Sequence, residues 1–153
     1  PIKIIWPEIK VTLLDSLDKR VGFLKEVIEE LGLEGIEALH GRAEDFGQDS
    51  NYRENFDLCV SRAVADLSVL CEYCIPFVKE QGEFISYKSD ESEKEIYNAG
   101  NAIELLGGNL ERIATETIPE TDIKRQFAII RKIEKTESKY PRKAGKPSKK
   151  PLK

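Results

Sequence analysis

The chain has 153 residues, 40% hydrophobic and 34% charged, with 8% aromatics, 10 glycines and 7 prolines, which suits one globular domain and argues against a collagen-like or mostly disordered chain. No apolar run approaches the roughly 18 to 20 residues of a membrane span and no signal-peptide series opens the chain, so a soluble, cytoplasmic protein is expected. The formal net charge of −4 hides an asymmetry: Lys139 to Lys153 holds seven basic residues and no acid, leaving 17 Lys+Arg against 28 Asp+Glu, about −11, on residues 1–138.

In chain order, Lys10 to Asp15 is β-branched and leucine-rich and reads as a buried strand ending in an acid. A helix follows, with Ser16 as the expected N-cap and Leu17, Val21, Leu24, Ile28 and Leu31 on one face, stopped by Gly32. The alternation continues with strands at Ile36–Gly41, Phe56–Ala63 and Gly82–Lys88 and a helix at Asp66–Tyr73. A further helix at Ser92–Leu106 places Ile96, Ala99, Ile103 and Leu106 on one face and ends at Gly107-Gly108. Asn109–Ile118 and Gln126–Ile133 are two strand-like runs joined by a link too short for a helical crossover, hence an antiparallel hairpin. The pattern indicates a doubly wound α/β sheet with one antiparallel strand at or near its edge. A domain over residues 1–138 and a flexible basic tail over 139–153 are expected, because the tail's Lys/Pro/Gly composition cannot form a core.

Three cysteines, Cys59, Cys71 and Cys74, cannot all pair within the chain, and Cys71 and Cys74 sit in the apolar LSVLCEYCIPF, so buried thiols are expected and no metal. His40, at a strand end, reads as structural. Ligands of open parallel sheets bind outside the carboxyl ends of the strands. That rule selects Asp15, the His40–Asp45 turn, Ser61–Ala65, and Lys88 with Ser89. Asp15 can receive both hydroxyls of a ribose or simply cap the next helix, and the two readings are even. Glu44 alone is a weak signal. Arg62 interrupts an apolar stretch, where a guanidinium is costly unless it meets an anion or an internal carboxylate such as Asp66 or Asp15.

VTLLDSLDKRVGFL, GRAEDF, FDLCVSRAVADLSVLCEYCIPFVKEQGEFISYKS, the LGG before the hairpin and YPRKAGKPSKKPL together resemble the RsmG (GidB) family, the bacterial methyltransferases of small-subunit ribosomal RNA. The resemblance implies a class I, Rossmann-like methyltransferase fold, all parallel except the last strand, with S-adenosyl-L-methionine as cofactor and guanine N7 of 16S rRNA as methyl acceptor. It implies that Asp15 holds the cofactor ribose, that Ala43 and Glu44 flank the adenine, and that Arg62 lies at the methionine end. Lys88, Lys124, Arg125, Arg142, Lys143, Lys146, Lys149 and Lys150 are the expected RNA contacts. No catalytic residue is assigned, since N7 already carries a lone pair and positioning dominates. Family members open with a strand and a GxGxGFPG turn, whereas this chain opens at Pro1 in PIKIIWP and contains no methionine. A longer protein is therefore expected, of which this part alone is inactive, with the small ribosomal subunit as partner. A nucleotide-dependent oxidoreductase would share the Asp15 argument, and an RNA-binding module without catalysis would share the basic tail. Removing Lys139–Lys153 from the complete protein is expected to weaken RNA binding, flatten its salt dependence and leave the affinity for the cofactor intact.

Overall fold

The structure, a computed structural model, describes residues 1–62, 65–89 and 92–152. Ala63, the expected end of the third strand, and Lys153, the last tail residue, lie outside the described residues. The chain divides into two compact units, Pro1–Ala43 and Glu44–Lys153.

The first unit opens with a short helix, α1 (Ile2–Ile5), then β1 (Val11–Asp15), α2 (Asp18–Glu30) and β2 (Ile36–His40). β1 and β2 pair in parallel with Asp15 opposite His40, the pairing that a connection through a helix permits. β1 is half-buried along its whole length rather than buried, because β2 is its one paired neighbour among the described residues. The helix stripe is likewise thinner than its spacing suggests. Val21 is buried and Leu24 and Ile28 are half-buried, while Leu17 and Leu31 at the two ends are more than half exposed. Gly32 ends α2 at φ +57°, the left-handed geometry that favours glycine.

The second unit continues through α3 (Ala43–Phe46), β3 (Phe56–Ser61), α4 (Leu67–Cys74), a 3-10 turn at Ile75–Phe77 and β4 (Val78–Lys88). Next come α5 (Glu93–Asn98), α6 (Gly100–Leu105), β5 (Gly108–Thr117), β6 (Lys124–Lys132) and α7 (Lys146–Lys149). Its sheet has the order β3-β4-β6-β5. β3 and β4 are parallel, and β6 runs antiparallel to both β4 and β5. The antiparallel strand of the expected hairpin therefore lies inside the sheet, and β5 forms the edge.

Ser92–Leu106 divides into two helices at Ala99, yet Ile96, Ala99, Ile103 and Leu106 are all at most 1% exposed. The apolar stripe survives the break because it faces a single core, in which α4, α5 and α6 cover Phe84, Ala128 and Ile130 of the sheet. Gly107 follows at φ +81°, where a Cβ would sit 2.2 Å from the Glu134 carbonyl oxygen, so no other residue fits this crossing. Cys71 and Cys74 are buried, and desolvation holds the Cys71 thiol well above its usual pKa. The Cys74 thiol is raised by its contact with Cys59 and by burial.

Residues 139–152 do not form a flexible tail. They pack as a strap on the second unit, with Tyr140 in the core cluster and Leu152 against it. The composition argument fails here because the strap joins an existing core and does not need its own. Its Arg142 makes a two-pronged ion pair with Glu72, which is fully buried in α4.

Candidate active site

Asp15 closes β1 and turns its carboxylate onto the next segment. Its Oδ1 accepts the Leu17 N–H at 2.8 Å, and Oδ2 lies 3.4 Å from an exposed Arg20 guanidinium. Asp15 thus does the capping expected of Ser16, and α2 starts from Leu17 with no side-chain cap of its own. The Oδ2 contact is long and weak, so one oxygen remains available to hydroxyl donors. His40, opposite in β2, has Nε2 3.1 Å from the Ser16 carbonyl oxygen, the structural role expected of it. Ala43, at the start of α3, is half-buried.

In the second unit, Glu44 is 5% exposed and its Oε1 accepts the Gly145 N–H at 2.8 Å. The carboxyl ends of parallel strands β3 and β4 lie side by side, Ser61 opposite Ser86. Arg62, which follows β3, is exposed. The burial cost that singled it out from sequence does not apply, and Asp66, its suggested partner, uses Oδ1 to cap α4 at Ser68.

Lys88 is corrected most sharply. Its side chain is 6% exposed, and its ammonium donates to the Ala65 carbonyl oxygen at 3.0 Å and to Glu95 Oε1 at 2.5 Å. The same Glu95 oxygen accepts the Leu67 N–H at 2.7 Å. Lys88 and Glu95 therefore hold Ala65 and Leu67 at the start of α4, and the ammonium is not free for RNA. Arg142 is also withdrawn from the RNA contacts, since its Nε and Nη2 donate to Glu72. Glu72 was legible as a carboxylate inside an apolar helix but was not singled out, and neither was Glu95. Lys124, Arg125, Lys143, Lys146, Lys149 and Lys150 are exposed.

An open cleft of about 390 Å³ lined by Glu93, Tyr97, Leu110, Glu111, Arg112, Ile113 and Thr115 contains none of the candidates. Among the described residues no group of three or more His, Cys, Asp or Glu is arranged to hold a metal, and no helix is long and apolar enough to cross a membrane.

A family model described as GidB, rRNA small subunit methyltransferase G, matches residues 1–126. The chain belongs to this family. The ribosomal RNA small subunit methyltransferase G of Alkaliphilus metalliredigens is 53% identical over 100% of this chain and 64% of its own length. That of Acetivibrio thermocellus is 54% identical over 99% of this chain and 62% of its own. The chain thus spans a little under two thirds of these relatives. Among solved structures, a methyltransferase from Pyrococcus furiosus superposes with TM-score 0.64 at 16% identity, covering 87% of this chain and 68% of that one. An rRNA methylase from Streptococcus thermophilus gives 0.57 at 13% identity, covering 82% and 74%. TYW2 of M. jannaschii, solved in complex with AdoMet, gives 0.60 at 14%, covering 81% and 58%. At these identities the likeness establishes the fold, that of the class I methyltransferases.

Proposed function

We propose that the intact protein transfers the methyl group of S-adenosyl-L-methionine to N7 of a guanine in 16S ribosomal RNA, in the cytoplasm and on RNA of the small ribosomal subunit. The observation that carries this reading is the match along the whole chain to named small-subunit methyltransferases. The surroundings of each residue, taken singly, support this assignment. Asp15 ends a parallel strand with one carboxylate oxygen weakly engaged, as hydroxyl recognition needs. Glu44 opens the segment after β2 with its carboxylate already oriented by a backbone N–H, suited to the amino edge of an adenine, beside Ala43. Arg62, exposed after β3, is available to the carboxylate of the methionine portion.

The bound cofactor supplies an electrophilic methyl on a sulfonium. The work left to the chain is to place the N7 lone pair in line with it, for which no residue need remove a proton. Lys88 and Glu95 contribute by fixing Ala65 and the start of α4 at the end of β3. On the RNA side the exposed cations Lys143, Lys146, Lys149 and Lys150, with Lys124 and Arg125, offset the repulsion of an acidic body. Thermal-shift titration of the intact protein tests the cofactor assignment. Stabilisation by S-adenosylhomocysteine and none by NAD is expected. Stabilisation by NAD would favour an oxidoreductase, and RNA binding with neither nucleotide would leave an RNA-binding module.

A further inference from the structure

We infer that the C-terminal strap is a positioning device for Glu44, through which RNA seated on the strap's lysines tightens binding of the cofactor. The inference rests on the function proposed above and adds a coupling between its two ligands. The strap is held at four places. Arg53 donates to the carbonyl oxygens of Thr136 at 2.6 Å and Tyr140 at 2.7 Å. Gln48 donates to those of Ser138 and Pro141, Arg142 pairs with buried Glu72, and the Gly145 N–H reaches Glu44. Three of these four anchors come from residues 44–53, the stretch that begins at the proposed adenine contact. Gly145 also introduces α7, so the bond to Glu44 is one residue from Lys146 and two from Lys143.

The direction of the Gly145 N–H is set by a backbone at φ +77°, and a Cβ built there meets nothing within 4 Å. Substitution at Gly145 therefore acts through backbone preference alone and leaves packing intact. A polyanion that neutralises Lys143, Lys146, Lys149 and Lys150 binds the seated strap in preference to a loosened one. It thereby stabilises the seat on Glu44, and the gain in cofactor affinity must be matched by an equal gain in RNA affinity when cofactor is present.

The test is calorimetric affinity of the intact protein for S-adenosylhomocysteine, with and without a saturating 16S-derived RNA hairpin at fixed salt. Wild type is compared with Gly145→Val, which disfavours positive φ, and with Gly145→Asn, which tolerates it. RNA is expected to tighten S-adenosylhomocysteine about 5-fold in wild type and Gly145→Asn, the lower range of measured couplings. In Gly145→Val the coupling is lost and the affinity without RNA falls by about 5- to 30-fold, as the penalty of one left-handed residue implies. If Gly145→Val melts early, Gly145→Ala gives the same comparison with less strain. Wild type that binds both ligands without coupling, or Gly145→Val that matches Gly145→Asn, overturns the inference and leaves the proposed function standing. Wild type that binds no S-adenosylhomocysteine overturns both.

Discussion

The carboxylate of Asp15 is occupied on one side only. Because Oδ1 alone makes the cap to Leu17, Asp15→Asn keeps that bond and removes the charge. We expect it to cost about 1.5 to 3 kcal/mol of cofactor affinity, the range for hydrogen bonds to charged groups, while fold stability changes by at most ~0.5 kcal/mol. Calorimetry with S-adenosylhomocysteine and a urea melt check the two halves, and unchanged affinity would reduce Asp15 to a cap. Lys132 offers a residue-level test of pH dependence. Its side chain is 1% exposed at 3.3 Å from Glu54, and burial lowers its pKa below the ordinary 10.5 against the opposing pull of Glu54. Between the lowered value and 10.5 the unfolded chain binds more protons than the folded one, so stability from this group rises with pH across that window and the penalty is fully present below it. Lys132→Met should flatten this rise. Urea melts of both forms between pH 8 and 10.5 check it, and parallel slopes would count against it.

At the scale of elements, the strap shows where sequence reasoning reached and where it stopped. The helix stripe of Ile96, Ala99, Ile103 and Leu106 was legible because its 3.6-residue period is local, and the hairpin because its link is short. The strap was not legible, since its partners lie 70 or more residues away, as with Arg142 and Glu72, and a run of lysines reads as solvated. Asp15 and Glu44 were singled out by the strand-end rule, whereas Lys88 was placed at a strand end but given an outward role that its burial rules out. Its acid, Glu95, lies seven residues along in the next helix, and no single period links a strand residue to a helix residue. The Glu72–Arg142 pair makes the strap's contribution measurable. Removing either partner leaves a buried charge unmatched, so Glu72→Ala or Arg142→Ala should destabilise the fold by about 3 to 5 kcal/mol. Replacing both, Glu72→Leu with Arg142→Met, should recover much of that loss. Denaturant melts of the single and double variants decide it, and losses that simply add would contradict a direct pair. By the same argument, deleting residues 139–153 should lower stability and cofactor affinity together, where the bare sequence suggested that the cofactor would be spared.

At the scale of the whole molecule, the acidic composition of residues 1–138 is accompanied by a basic strap that packs in the core of the second unit and presents five exposed lysines, Lys139, Lys143, Lys146, Lys149 and Lys150, among the described residues. Asp15 ends β1, Glu44 lies in α3 and Arg62 follows β3, each proposed above as a cofactor contact, and Lys88 and Glu95 hold Ala65 and the start of α4. The most direct measurement is to incubate the intact protein with methyl-labelled S-adenosyl-L-methionine and small-subunit ribosomal RNA that lacks the modification, then digest the RNA and separate its nucleosides. The account predicts label in 7-methylguanosine from a single position of 16S rRNA. Label confined to another nucleoside, or no transfer to RNA by protein that binds S-adenosylhomocysteine, would contradict it.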